Sequence, residues 1–299
     1  MPVATFAALL LGSASVEAAQ VAHDVEKGKP TWSFEVTWTD AEGARHEAAY
    51  ELPNRLIQQD LQEPMKFQQK QAAHVTAKAV NAWSGTRKGP KVEAKVVGTT
   101  VQLSAKGQSR SAIKQALGDA QEVRQQALAG YLDANGYTTI DGKILPDHAR
   151  HVDEYADDLA PLVVALGGPT DDPRVFGNKA LSMVQSIPYE QRAKVSDLYR
   201  RPLSVLGRNK GDCDSKTVLF LALMHEAYPD LPVAIVYRPG HAYAALGLER
   251  QRGDMRFRED GQVWVGVEPV GPAVRSIGEV RGKSRRRAKL GMVHLAVVE

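Results

Sequence analysis

Residues 211–224 read GDCDSKTVLFLALM, a short polar stretch followed by an unbroken apolar run. The polar stretch is typical of a loop that turns into a helix, because Asp and Ser side chains can accept hydrogen bonds from the first free backbone N–H groups. The apolar run 218–224 has no polar face, so we expect protein to surround the helix. The sequence therefore predicts a buried helix that begins near Cys213.

Cys213 is the only cysteine of the chain. A thiol at a helix N-terminus lies near the positive end of the macrodipole, which favours the thiolate, so we expect a lowered pKa for Cys213. One interpretation of this position is a reactive nucleophile. The other is a buried, inert thiol that packs as a small apolar side chain.

The segments that follow supply the partners a nucleophile needs. Residues 233–237 and 241–248 are predicted strands joined by a turn at Pro239-Gly240, and 263–269 is a third strand. His241 begins the second strand, and Glu268 lies on the third, on the face opposite its valines. In thiol catalysis a cysteine attacks, a histidine takes and returns the proton, and an acid orients the imidazole. The order Cys213, His241, Glu268 fits these three roles.

The motif Gly211-Asp212-Cys213, the histidine on a strand and the pattern Trp-x-x-Val-Glu-Pro over 264–269 together resemble the transglutaminase-like superfamily. Upstream, 187–189 (IPY) and 199–206 (YRRPLSVL) are similar to the segment that precedes Gly-Asp-Cys in bacterial transglutaminase-like cysteine proteinases. The resemblance covers residues 170–272. Two positions depart from it: the third member is more often Asp than Glu, and Ser215 stands where the proteinases commonly carry an acid.

The resemblance implies an α+β fold with a papain-like core, in which the nucleophile helix packs on an antiparallel sheet. It makes Cys213 the nucleophile, His241 the general base and acid, and Glu268 the orienting carboxylate of a protease or amidase that acts through a thioester. Hydrolysis of an amide bond in a protein or peptide is the activity we expect. A transamidating, cross-linking enzyme and a non-catalytic binding or assembly module are the alternatives.

An acyl-transfer site also needs donors for the developing oxyanion. The backbone N–H of Cys213 is the first candidate, because it is unpaired at the helix start. The second donor is left open by the sequence; the candidates are Asn209, Tyr199, Tyr189 and Gln185.

Metal-binding patterns are weak in this chain, and no cofactor is expected. Some relatives bind calcium through acids that flank the cysteine, and Asp212 and Asp214 could contribute to such a site, but capping the helix is the favoured role. His148 and His151 lie three residues apart, yet no further zinc ligands stand at a suitable spacing. We therefore expect both histidines at the surface or in a groove.

Composition and charge indicate a globular enzyme. The chain has 299 residues, 43% hydrophobic, with a net charge of +3, which makes no case for nucleic acid as a partner. The basic cluster within 281–289 has the pattern of a solvated loop before the last strand, and a surface that contacts phosphate, cell-wall polymer or membrane head groups is the alternative.

The N-terminus suggests export. Residues 3–11 are apolar, and Val16-Glu17-Ala18 would allow cleavage after Ala18, although no basic residue precedes the apolar stretch. We expect a signal peptide over 1–18, a periplasmic or secreted protein with substrates associated with the cell envelope, and no transmembrane span. A cytoplasmic protein with an apolar N-terminus is the alternative.

Two domains are expected after the signal peptide. Residues 19–107 predict an α+β accessory domain, with a hairpin over 32–52, a helix over 65–83 and a strand pair over 92–104. Residues 108–299 predict a helical segment from Ile113 to a stop at Asn135-Gly136, an amphipathic helix over 155–166, and the catalytic domain.

Overall fold

The computed structural model describes residues 20–62, 67–190, 199–259, 261–271 and 273–298. The predicted signal peptide over 1–18 lies outside the described residues. Helices combine with antiparallel sheets, an arrangement compatible with the predicted α+β class. None of the helices in the described ranges is long and apolar enough to cross a membrane.

The strands, in chain order, are β1 (Gln20–Lys27), β2 (Thr31–Thr39), β3 (Arg45–Pro53), β4 (Lys91–Val97), β5 (Thr100–Lys106), β6 (Tyr137–Ile140), β7 (Lys143–Pro146), β8 (Val233–Arg238), β9 (His241–Leu246), β10 (Arg256–Glu259), β11 (Gln262–Val267) and β12 (His294–Val297). The helices are α1 (Asn54–Gln62), α2 (Gln69–Thr86), α3 (Arg110–Ala134), α4 (His148–Ala156), α5 (Ala160–Ala165), α6 (Pro173–Ser186), α7 (Pro202–Arg208), α8 (Cys213–Ala227) and α9 (Gly282–Lys289).

The described residues divide into two compact units. The first contains 20–62, 151–190 and the described residues from 200 to 298, and the second contains 67–150 together with Tyr199. The first unit holds the sheet β1-β2-β3 and the five-stranded sheet β10-β11-β9-β8-β12, both antiparallel. The second holds α2, α3 and the hairpins β4-β5 and β6-β7.

This division differs from the predicted accessory domain over 19–107. The hairpin over 32–52 and the strand pair over 92–104 form as the patterns predict, but β1–β3 belong to the same unit as α8. Trp38 gives the physical reason, because its side chain is 0% exposed and its Nε1 donates to Ser182 Oγ on α6 at 2.9 Å. Alternation along a strand shows which face is buried, but not which element buries it.

Helix α8 begins at Cys213 and is buried as its sequence predicts. It contacts α5, α6, α7, β8 and β9, so it has no solvent face. Burial of each large apolar side chain stabilises the fold by about 1.5–3 kcal/mol. Those of α8 with 0% exposure are Val218, Leu219, Phe220, Leu221, Leu223 and Met224.

Two expectations about local structure are wrong. The predicted helix over 155–166 is broken into the end of α4, a 3₁₀ turn at Asp157–Leu159 and α5, because Pro161 lies at the start of α5 and cannot continue a preceding helix. The predicted loop over 281–289 is the helix α9, which buries Ser284 and Ala288 one turn apart and leaves its basic residues on the other faces.

The prediction for the histidines of α4 is also wrong. His148 is 1% exposed and His151 is 3% exposed, so neither lies at the surface or in an open groove. Both are on the inward side of a helix, three residues apart, which places them on one face. Within the described ranges, no three His, Cys, Asp or Glu side chains are grouped so that they could hold a metal ion.

Candidate active site

Asp212 fixes the start of α8. It is the N-cap residue, and its Oδ1 accepts from Ser215 N at 3.1 Å and from Ser215 Oγ at 2.6 Å. The capping role predicted for Asp212 is therefore confirmed. Because the cap sets where the helix begins, it also sets the position of Cys213 in the first turn.

The thiol of Cys213 has three close neighbours. Its Sγ donates to Asp214 Oδ1 at 3.2 Å, and the backbone of Ala242 and the hydroxyl of Tyr189 lie near the sulfur. Asp214 therefore contacts the thiol and has no part in the capping interaction of Asp212.

The lowered pKa expected for Cys213 is not what the structure indicates. Burial raises the pKa of this thiol well above its ordinary value, and the negative charge of Asp214 raises it further. The N–H of Ala242 opposes both effects without overcoming them. The macrodipole argument fails here because it takes no account of desolvation and of an adjacent carboxylate, both of which disfavour the thiolate.

His241 and Glu268 form a close pair. His241 Nε2 lies 2.9 Å from Oε2 and 3.1 Å from Oε1 of Glu268, and both side chains are 14% exposed. His241 is the first residue of β9, and Glu268 follows directly after β11. These strands are antiparallel neighbours with Val267 opposite Ala244. The start of β9 and the end of β11 therefore lie at the same end of the two strands.

The start of α8 lies against the start of β9. Besides the contact of the sulfur with the N–H of Ala242, Thr217 Oγ1 donates to the carbonyl of Ala242 at 3.5 Å. Ala242 is the neighbour of His241 in the chain, so the helix of Cys213 and the strand of His241 are in direct contact at this point. In the described residues, the thiol of Cys213 is hydrogen bonded to the carboxylate of Asp214. The imidazole of His241 is hydrogen bonded to a different carboxylate, that of Glu268.

Tyr189 is the predicted oxyanion donor that lies beside the sulfur. Its side chain is 43% exposed, and its backbone forms a bridge with Gly211, two residues before Cys213. Burial raises the pKa of Tyr189 to about 12, and the negative charges of Asp212 and Asp214 act in the same direction. A hydroxyl that keeps its proton up to such a pH can donate a hydrogen bond throughout the neutral range.

The other candidates for the second donor have different roles. Asn209 caps the end of α7 in a left-handed conformation with φ of 51°, and its amide is paired with that of Gln20 at 2.6 and 3.0 Å. Tyr199 belongs to the second unit, where it is 4% exposed and its ring centroid is 4.5 Å from that of His148.

Gln185 uses both of its amide donors for structure. Its Nε2 donates to the backbone carbonyls of Glu268 at 2.8 Å and Arg275 at 3.0 Å, and its Oε1 accepts from Arg275 N at 3.2 Å. No donor is left for an oxyanion, so the prediction for Gln185 is wrong in role. The residue is nevertheless part of the site, because it holds the backbone of Glu268.

Lys216 is a residue of this site that the sequence patterns did not identify. It is 0% exposed, and its Nζ donates to the carbonyls of Ile187 at 2.7 Å and Gln185 at 3.2 Å. Burial lowers the pKa of Lys216 to about 7, while the charge of Glu268 acts in the opposite direction. The signal in the sequence was a lysine in the first turn of a helix with no solvent-exposed face.

Comparisons with family models, with curated proteins and with solved structures returned no match to this chain.

Proposed function

We propose that this chain is a thiol-dependent hydrolase that cleaves an amide bond through a thioester, on a papain-like core of the transglutaminase-like type. The observation that carries the proposal is the His241–Glu268 pair where β9 begins and β11 ends, with Nε2 2.9 Å from a carboxylate oxygen. The helix of Cys213 packs against Ala242, the residue that follows His241. Acyl transfer requires a nucleophile, a base and an orienting acid, and the paired His241 and Glu268 provide the last two.

In the proposed reaction the thiol turns from Asp214 towards Nδ1 of His241, the ring nitrogen opposite the one that faces Glu268. Because the raised pKa of Cys213 keeps the sulfur protonated, the proton passes to His241 as the sulfur attacks the substrate carbonyl. The carbonyl oxygen gains the negative charge and accepts hydrogen bonds from the backbone N–H of Cys213 and the hydroxyl of Tyr189.

The intermediate then collapses. The imidazolium of His241 gives its proton to the leaving amine, the C–N bond breaks, and a thioester on Cys213 remains. Water attacks this thioester while His241 takes its proton, and the proton returns to the sulfur as the acid product leaves. Glu268 stabilises the charged imidazole in both halves of the reaction.

A protein or peptide outside the cytoplasm, in the cell envelope or secreted medium, is the proposed substrate. The experiment is incubation of the wild-type chain with envelope proteins and wall peptides, followed by mass spectrometry of the products and of the intact protein. We expect cleavage products and, at short times, an acyl adduct on Cys213. Cys213→Ala and His241→Ala should abolish both, whereas His294→Ala, a matched control on β12 of the same sheet, should retain them. Wild-type turnover by Cys213→Ala would end the proposal.

A binding or assembly module is the second candidate, and the raised pKa of Cys213 is the observation that favours it. Alkylation by iodoacetamide distinguishes the two. In an enzyme that uses His241 as its base, His241→Ala changes the rate and pH profile of Cys213 alkylation. In a module with an inert thiol, the profile is the same with and without the imidazole.

A further inference from the structure

Lys216 connects the helix of Cys213 to a second helix. It lies three residues after Cys213 on α8, and its side chain is fully buried. Lysine is almost never found in such a place unless it is paired. Its partners are the carbonyls of Gln185 and Ile187, at 3.2 and 2.7 Å from Nζ.

These carbonyls lie at the C-terminal end of α6, where Ile187 is the C-cap residue. The last carbonyls of a helix lack partners within the helix and carry the negative end of its dipole. A lysine from α8 satisfies two of them. Because two N–H groups are enough for two carbonyls, both the ammonium and the neutral amine of Lys216 can make this link.

Gln185 carries the link onward to Glu268. The backbone carbonyl of Gln185 accepts a hydrogen bond from Lys216. The side-chain amide of Gln185 donates to the carbonyls of Glu268 at 2.8 Å and Arg275 at 3.0 Å. The segment that follows β11 is therefore tied to the end of α6 through one side chain. The carboxylate of Glu268, at the start of that segment, reaches His241.

Two glycines leave the space that these contacts need. A Cβ at Gly211 would lie 3.0 Å from Cγ of Lys216, and a Cβ at Gly271 would lie 2.1 Å from the carbonyl oxygen of Gln185. The first glycine gives room for the lysine stem. The second lets the segment after Glu268 run directly over the backbone of Gln185.

We propose that Lys216 is a positioning residue of the Cys213 site, which fixes the end of α6 and, through Gln185, keeps the carboxylate of Glu268 within hydrogen-bond distance of His241. The same lysine holds Ile187, two residues before Tyr189, and so also steadies the segment that carries the hydroxyl beside the sulfur. The catalytic meaning of this role rests on the proposed function, whereas the positioning itself can be measured without a substrate.

The test compares Lys216→Met and Gln185→Met with the wild type and with Lys210→Met, a matched control at an exposed lysine just before the site. Lys216→Met keeps the apolar stem and removes the donors. Gln185→Met leaves the backbone carbonyl bound by Lys216 and removes the three side-chain bonds to the backbone of Glu268 and Arg275. The first readout is the downfield NMR signal of the imidazole proton shared with Glu268, assigned by its loss in His241→Ala. The second is the rate at which iodoacetamide alkylates Cys213.

We expect both variants to lose or broaden the imidazole signal and to slow alkylation roughly 10 to 100-fold, the scale of a displacement of about 1 Å in a catalytic group. Lys210→Met should change neither. A folded Lys216→Met with the wild-type signal and alkylation rate would overturn the inference. If Lys216→Met does not fold, Gln185→Met tests the step through Gln185 on which the inference depends, and a wild-type signal and alkylation rate in this variant would overturn the inference. If the proposed function fails because alkylation does not depend on His241, the NMR signal alone still supports or overturns the positioning role.

Discussion

The carboxylate of Glu268 should control how readily Cys213 reacts. His241 Nε2 is 2.9 and 3.1 Å from its two oxygens, and both side chains are 14% exposed, so the pair is only weakly screened by water. A hydrogen bond to a charged group contributes about 1.5–3 kcal/mol, and a neutral one about 1 kcal/mol. The imidazolium formed when Cys213 gives up its proton loses that support when the acid is replaced.

These values give a graded series. Glu268→Ala loses the whole interaction, about 2 kcal/mol, which corresponds to a rate about 30-fold lower at 1.36 kcal/mol per factor of ten. Glu268→Gln keeps a neutral acceptor, loses about 1 kcal/mol, and should be about fivefold slower. Glu268→Asp withdraws the carboxylate by roughly one C–C bond, about 1.5 Å, which takes it beyond hydrogen-bond reach but keeps its charge. We expect its rate to lie between those of Gln and Ala.

The assay is simple because Cys213 is the only cysteine. Intact-mass spectrometry after timed exposure to iodoacetamide, from pH 6 to pH 9, reports alkylation at this position alone. Glu259→Ala, at an exposed glutamate on β10 of the same sheet, is the matched control and should react as the wild type does. The reasoning is refuted if Glu268→Ala is alkylated at the wild-type rate at every pH while circular dichroism shows a folded protein.

Three further outcomes follow from the same contacts. Asp214→Asn removes a charge that raises the pKa of Cys213, so alkylation at pH 7.5 should become faster, and a slower reaction would contradict this cause. Burial lowers the pKa of Lys216 to about 7, so the unfolded state binds more protons between about pH 7 and pH 10.5. In urea unfolding, the free energy of unfolding of the wild type should therefore rise relative to that of Lys216→Met as the pH increases through this window. The relative increase should be at most about 1.4 kcal/mol per pH unit. Gly271→Ala should lower the melting temperature because of its contact at 2.1 Å, whereas Gly118→Ala, in open space on helix α3, should raise stability by up to about 1 kcal/mol.

Sequence patterns predicted the backbone of the site well. The apolar run 218–224, the turn at Pro239-Gly240 and the alternation over 263–267 each correspond to an element of the structure. These signals are local, because helix starts, turns and strand faces depend on residues a few positions apart. The same holds for the Asp212 cap, which the stretch GDCDS encodes within four residues.

The chemistry of the site was less accessible, because it depends on neighbours that are distant in the chain. Gln185 is a candidate oxyanion donor by sequence, but its amide donors are taken by carbonyls 83 and 90 residues away. The pKa of Cys213 was assigned from its helix position, whereas the extent of its burial depends on how the whole unit packs. A motif specifies which groups are present, and tertiary packing decides which of their hydrogen-bonding atoms remain usable.

The raised pKa of Cys213 is compatible with the His241–Glu268 pair if Cys213 is a protonated thiol in the free enzyme and gives up its proton only when substrate is bound. A sulfur that donates to Asp214 Oδ1 at 3.2 Å is held protonated, and the imidazole of His241, on the strand against which α8 packs, is already oriented by the carboxylate of Glu268. Binding of a substrate carbonyl would expel water and bring the oxyanion donors into use, which favours transfer of the proton at the moment of attack. Under this mechanism, alkylation of the free protein underestimates its reactivity. An analogue that occupies the oxyanion donors and leaves the sulfur open to a small reagent should then accelerate the alkylation of Cys213, and an unchanged rate would contradict this mechanism.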